Sequence, residues 1–439
     1  MRYLWPDYVY TPHGWQRDIL VAIDEHGCIA ELLSRAEVEA RGLQAEAEAA
    51  RGSLSGKALL PGFVNAHSHV FQRALRGQAQ RPIGGHDTFW SWRQAMYAEA
   101  RRLDPERLYQ LACATYREML AAGYTTVGEF HYVHHQPDGR PYAAPNLMAE
   151  ALLQAARTVG IRLVILLAAY ARNDFGQPAL EEQRRFCDPS VAAYLERVEA
   201  LRGLGVPLGL APHSVRAVPE DWLRAIAAYS RQHQLPLHIH ANEQPAEIAS
   251  CLAACGCRPL VLLARCEVLG PQTTVVHATH ADRTELDLLA SSGARVCLCP
   301  TTEGDLGDGI PPYRELLARR IPLAIGSDSN TRLDPFEELR WAEYTARLRY
   351  GERRILVTGP EASPGAYLLT CGCEHGAAAL GIESGRLEPG RLADLVAVDL
   401  EHPMLQGWTI ESLLDCLFFG ATAEVISAVW VSGQQVYAR

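Results

Sequence analysis

The sequence has no basic run and no excess of positive charge. Its 439 residues carry a formal net charge of -10, whereas phosphate binding needs a concentrated positive face. A nucleic-acid partner is therefore not expected. An anionic small molecule would need dedicated cationic side chains inside its pocket. Long apolar runs are also missing. The longest, Ile161–Tyr170, is too short to span a bilayer and contains Arg162, so it reads as a buried strand and no membrane association is expected. The opening residues, MRYLWPDYVYTPHGW, show no basic start, apolar stretch or small-residue cleavage site. They do not read as a secretion signal, and the expected location is the cytoplasm. Solenoid-type repeats are absent. Twelve cysteines are present, but neither the Cys251, Cys255, Cys257 group nor the Cys371, Cys373 pair has the C-x2-C spacing of a structural zinc site. They read as free thiols.

What the chain does have is an alternation of short apolar strands and helical stretches. The candidate strands are Leu59–Asn65, Thr125–Phe130, Arg162–Tyr170, Pro207–His213, Pro236–His240, Thr273–His277, Ala294–Cys299 and Pro322–Ser327. Each is nearly continuous in apolar residues, as parallel strands buried on both faces must be. Helical patterns such as Glu106–Ala121, Ser190–Gly203 and Trp222–Gln234 lie between them. Eight such alternations predict an α/β fold, a (β/α)8 barrel of the TIM type, over residues 59–384. The ends read differently. Short strands at Tyr3–Val9, Asp18–Asp24 and Ile29–Leu33 precede the barrel, and Asp394–Asp399 and Val425–Val431 follow it. Residues 1–58 and 385–439 are expected to form one small β-sandwich-like domain. The Ala- and Glu-rich segment Ala36–Ala50 is a helical or loop insertion in it.

The segment Pro61-Gly-Phe-Val-Asn-Ala-His67-Ser-His69 ends the first candidate strand. Histidines at i and i+2 on a strand point the same way and can share a cation. An isolated H-x-H says little, but the C-terminal strand ends are where barrel active sites are built. Three other ends match it: His238-Ile-His240-Ala-Asn-Glu243, His277-Ala-Thr-His280 and Gly326-Ser-Asp328-Ser-Asn330. His67, His69, His240 and Asp328 would supply three imidazoles and a carboxylate, leaving a position for water. His238 lies two residues deeper and reads as structural. Glu243 follows His240 at a distance suited to reaching water at the site without being a ligand. His131, His134 and His135 read as a hydrogen-bonded loop.

This set of strand-end residues resembles the amidohydrolase superfamily. No lysine ends the fourth strand, which stops at His213, so the resemblance is to the mononuclear deaminase branch. Within it the chain is similar to the members that act on formimino-glutamate. The segments that carry this are His69-Val-Phe-Gln72-Arg-Ala-Leu-Arg-Gly, Phe89-Trp-Ser-Trp-Arg93, Glu129-Phe-His-Tyr132-Val-His-His, His213-Ser-Val-Arg216-Ala-Val, Val276-His277-Ala-Thr-His-Ala-Asp and Leu306-Gly-Asp-Gly-Ile-Pro. The chain departs from the pattern at Asn242, where Ala is expected. The resemblance implies one divalent ion on His67, His69, His240 and Asp328. Zinc is the expected ion, although the donors suit iron as well. It implies proton handling by Glu243 and His277, with Asp328 sharing in it. Gln72, Arg93, Tyr132, His213 and Arg216 would hold the substrate. The implied reaction is hydrolytic deimination of N-formimino-L-glutamate to N-formyl-L-glutamate and ammonia, in histidine degradation. Alternatives are deamination of a guanine- or adenosine-type heterocycle, or an inactive barrel serving as a scaffold. A homodimer is the default assembly, being the commonest closed form.

Overall fold

Eight parallel strands form where the apolar runs lie, and the computed structural model describes residues 1–81, 89–359 and 362–439. They are β1 (Phe63–Ser68), β2 (Tyr124–His131), β3 (Arg162–Ala169), β4 (Leu208–Pro212), β5 (Leu237–Ala241), β6 (Thr273–His277), β7 (Arg295–Leu298) and β8 (Leu323–Ile325). Each pairs with its sequence neighbour, in the order expected of a right-handed βα series. Register brings the strand ends level: Ser68 lies beside Glu129, and His240 beside Val276. Helices cover the outside. Pro105–Ala121, for example, starts at Asp104, whose side chain accepts from the Arg107 N–H, and buries Leu108, Ala112, Tyr116 and Met119 against the sheet.

The first apolar run is two strands rather than one. Lys57–Pro61 pairs with Leu395–Asp399 and Tyr8–Thr11 in the small domain, whereas β1 pairs with β2 in the barrel. Gly62 is the pivot between them. Its N–H donates to the Asp394 carbonyl at 2.9 Å, and a Cβ there would come within 2.2 Å of the Thr125 side chain. The chain thus passes from one sheet to the other at Gly62. Tyr3–Val9 also divides, because Pro6 has no N–H to continue a ladder. Arg2–Leu4 and Tyr8–Thr11 enter different sheets.

The small domain is a three-stranded sheet (Arg2–Leu4, Leu20–Ile23, Ile29–Leu33) packed on a six-stranded one that combines both chain ends. Leu4, Val21, Ile23 and Ile29 from the first meet Val9, Leu59, Leu395 and Trp430 from the second in one core. Residues Arg35–Ala40 and Gln44–Arg51 are helical, as the composition of that insertion suggests. Among the described residues no single helix is long and apolar enough to cross a membrane.

Candidate active site

Three imidazoles meet where β1 and β5 end. The Nε2 atoms of His67 and His240 are 3.1 Å apart, and those of His69 and His240 are 3.4 Å apart. Asp328 Oδ1 lies 3.4 Å from both His67 Nε2 and His69 Nε2. All four side chains are buried. His69 Nδ1 faces the Phe130 carbonyl at 2.8 Å and His240 Nδ1 the His213 carbonyl at 3.0 Å. A carbonyl only accepts, so each Nδ1 carries the proton and each Nε2 presents a lone pair. Burial keeps the rings neutral: it lowers His69 and His240 and takes His67 down to about 3. Lone pairs and a carboxylate converging this closely repel one another unless a cation sits among them. Zinc-type bonds of about 2.0–2.1 Å at tetrahedral angles place donors about 3.3 Å apart. The observed separations of 3.1–3.4 Å fit that requirement.

Backbone contacts across the barrel seam fix this geometry. The Asp328 N–H donates to the His67 carbonyl at 3.0 Å, and the His69 N–H to the Asp328 carbonyl at 2.9 Å. Glu129, not singled out as functional in the sequence, accepts from the Val70 N–H at 2.7 Å and the Ser68 hydroxyl at 2.8 Å. It clamps the chain on both sides of His69. Asp328 and His277 adopt left-handed backbone, at φ +45° and +75°, strain of the kind held at functional sites by surrounding structure. Gly326 lets β8 approach closely, since a Cβ there would stand 2.7 Å from the His67 Cβ and carbonyl oxygen. Gly326→Ala should therefore displace His67 and bind substoichiometric metal while keeping its helical circular dichroism. Full metal content by elemental analysis would show that His67 tolerates the shift.

Beside the four donors, His277 Nε2 lies 3.7 Å from Glu243 Oε1 and 3.8 Å from Asp328 Oδ2. Its Nδ1 is 3.3 Å from Glu303 Oε1, which also accepts from the Cys299 N–H at 3.0 Å. Burial disfavours the His277 charge, but the carboxylates of Glu243, Glu303 and Asp328 raise it well above its usual value. Burial raises the Glu243 carboxyl. Glu303 carries no signal of its own in the sequence, because an acid in the first turn of a helix, here Pro300–Leu306, is ordinary.

Gln72, Arg93, Tyr132, His213 and Arg216 line one cavity with His69, His240, Glu243, His277 and Asp328. His67 is fully buried. Gln72 Nε2 donates to the Tyr132 hydroxyl at 2.9 Å, and its buried Oε1 has no partner among the described residues. Arg93 and Arg216, both partly buried, line that cavity with the histidines, and Arg93 stands over the Tyr97 ring at 5.2 Å. His213 is held well below its usual pKa by burial and by Arg216, so it is neutral.

Other candidates fall elsewhere. His238 Nε2 is bound to the Ala379 carbonyl at 2.8 Å, a structural place. His134 Nε2 faces the Ala168 carbonyl at 2.9 Å and His135 stands beside Asp188 in the loop after β2, whereas His131 ends that strand with its Nε2 unpartnered among the described residues. All twelve cysteines are free. Cys299 lies near His277 and Asp328, but burial pushes its thiol well above the usual range, and it offers no ready thiolate. Asn242 turns away from the centre: at φ +58° its amide donates to buried Glu285 at 2.6 Å. Its short polar side chain suits that backbone. The chain's single lysine, Lys57, pairs with Asp399 at 2.7 Å in the small domain, so no lysine can bridge two metals.

The barrel and its buried His, His, His, Asp group define a metal-dependent hydrolase. Residues 58–436 match the amidohydrolase family model, and the chain belongs to the amidohydrolase family. It is 40% identical over 441 residues to formimidoylglutamate deiminase of Pseudomonas aeruginosa, covering 99% of this chain and 94% of that protein. The crystal structure of an amidohydrolase from Brucella melitensis is 33% identical, with a TM-score of 0.86 over 100% of this chain and 96% of that one. An adenosine deaminase from Xanthomonas campestris with bound zinc is 25% identical, with a TM-score of 0.79 over 99% and 92% of the two chains.

Proposed function

We propose that this protein hydrolyses N-formimino-L-glutamate to N-formyl-L-glutamate and ammonia, a step of histidine degradation, with one zinc ion held by His67, His69, His240 and Asp328. The observation that carries the reading is the pair Arg93 and Arg216 in the same cavity as the metal-binding group. The 40% identity to a formimidoylglutamate deiminase supports it. A guanidinium binds a carboxylate through two parallel hydrogen bonds, and two guanidiniums match the two carboxylates of a glutamate skeleton. A purine has no carboxylate to offer either guanidinium.

When bound, the divalent ion makes water nucleophilic at neutral pH and polarises the group it attacks. The chain's own side chains do the rest. Arg93 and Arg216 fix the substrate's far end. Gln72, Tyr132 and His213 line the path between. The Asp328 carboxylate takes the proton released as water adds to the formimino carbon, and His277, cationic between Glu243 and Asp328, is the proton source behind Glu243. Glu243 delivers a proton to the terminal nitrogen, which leaves as ammonia when the tetrahedral carbon collapses.

Ammonia release measured with formimino-glutamate beside guanine and adenosine tests the substrate. Faster release from either purine would replace this reading with heterocycle deamination. Elemental analysis should find one divalent ion per chain. Two equivalents, both needed for activity, would overturn the mononuclear assignment.

A further inference from the structure

Beyond β3 the chain turns through a short hairpin, Arg172–Asp174 against Gln177–Pro178, into a 3-10 turn at Glu181–Phe186. Two residues of this segment tie the cavity's arginines together. The Asn173 side-chain oxygen accepts from Arg93 at 3.4 Å, while its backbone carbonyl accepts from Arg216 at 2.9 Å. The clasp is reciprocal, because Arg172 Nε donates to the Arg216 carbonyl at 2.9 Å. Asn173 is held in turn by Gln183, whose side chain is fully buried. The Leu180 N–H donates to Gln183 Oε1 at 2.9 Å, which fixes the amide's orientation. Its NH2 group therefore faces the Asn173 oxygen at 3.0 Å and the Tyr97 and Tyr170 hydroxyls at 2.8 and 2.9 Å. Tyr97 is the ring under Arg93.

We propose that Asn173, oriented by Gln183, is a positioning residue that sets the spacing of Arg93 and Arg216 and so selects a dicarboxylate of glutamate length over shorter acids. The proposal rests on the reading that these arginines bind the substrate's carboxylates. Arginine side chains are long and rotamer-rich, and two of them confined in advance match one separation of charges. Ordering them before the substrate arrives removes a cost from binding rather than from the chemical step. An acid one methylene shorter cannot reach both.

The test compares wild type, Asn173→Ala, Asn173→Asp and Arg93→Met on formimino-glutamate, formimino-aspartate and formimino-glycine. Asn173→Ala removes the side-chain acceptor for Arg93 but keeps the backbone carbonyl for Arg216. It should raise KM for formimino-glutamate about tenfold with kcat within about twofold. Its preference over formimino-aspartate should fall by a similar factor, and formimino-glycine, which engages one arginine and is indifferent to their spacing, should lose less. Asn173→Asp places a rival carboxylate beside Arg93 and should raise KM further. If Asn173→Ala does not fold, Gln183→Glu serves. It keeps the acceptor for Leu180 but opposes the Asn173 oxygen, and it should give the same KM pattern. Equal loss of kcat on all three substrates would mark a merely structural role and overturn the proposal. If Arg93→Met keeps the glutamate preference, the carboxylate reading of Arg93 itself fails. If Arg93→Met loses that preference while Asn173→Ala keeps it, only the present proposal fails.

Discussion

Glu243→Gln should keep its metal and lose roughly 10²–10⁴-fold in kcat, the range that positioned proton transfer contributes. The amide has nearly the same shape as the carboxylate, and Glu243 lies outside the four-donor group. Neither packing nor metal binding should therefore change. What disappears is a group that can carry a proton between His277, 3.7 Å away, and the leaving nitrogen. Single-turnover kinetics with metal content measured on the same samples decides the matter. Near-normal turnover would remove Glu243 from the mechanism, and lost metal would make it a structural support instead.

The second large effect concerns substrate recognition. If the charge-assisted pair between Arg216 and a substrate carboxylate is desolvated, Arg216→Met should cost about 2–5 kcal/mol of substrate stabilisation. The loss should fall on kcat/KM for formimino-glutamate. It should be much smaller for formimino-glycine, which lacks one of the carboxylates and has no contact there to lose. Wild type and variant against the two substrates form a cycle whose coupling energy isolates the contact. Additive losses would show that Arg216 does not read the substrate. Arg216 also donates to the Asn173 carbonyl at 2.9 Å, so thermal unfolding of the variant separates lost recognition from lost structure.

Much of this was legible in the sequence because barrel chemistry gathers at strand ends. His67 and His69 stand out by their spacing on a strand, and His240 and Asp328 by ending strands of the same kind. Closure of the barrel then brings together residues as distant as His67 and Asp328, 261 positions apart in sequence. The division at Gly62 was hidden because Leu59, Leu60, Phe63 and Val64 are equally apolar on both sides of the pivot. Periodicity cannot reveal a change of sheet when both partners bury the strand fully. Glu129 and Glu303 were hidden for another reason. Their roles lie in what they accept, a hydroxyl and backbone N–H groups for Glu129, an imidazole and a backbone N–H for Glu303. Those partners are set by tertiary proximity. Asn173 and Gln183 sit in a loop with no pattern at all.

Where β1 meets β8 the barrel closes without a continuous ladder. Among the described residues the two edges share the isolated bridge Ser68–Asp328. Side chains complete the joint: the Asn65 amide donates to the Ser327 hydroxyl at 2.6 Å, and the Asn330 amide to the Ser68 hydroxyl at 3.0 Å. His67 and His69 stand on one lip of that joint and Asp328 on the other. A cation held by these groups would bind the closed cylinder and not an opened one, so heat tolerance and metal supply become linked quantities. Free metal at one hundred times its dissociation constant adds about 2.7 kcal/mol to the closed form. A cell starved of the ion would then hold a looser vessel as well as an idle one, with two strand edges offered to proteases and to other chains.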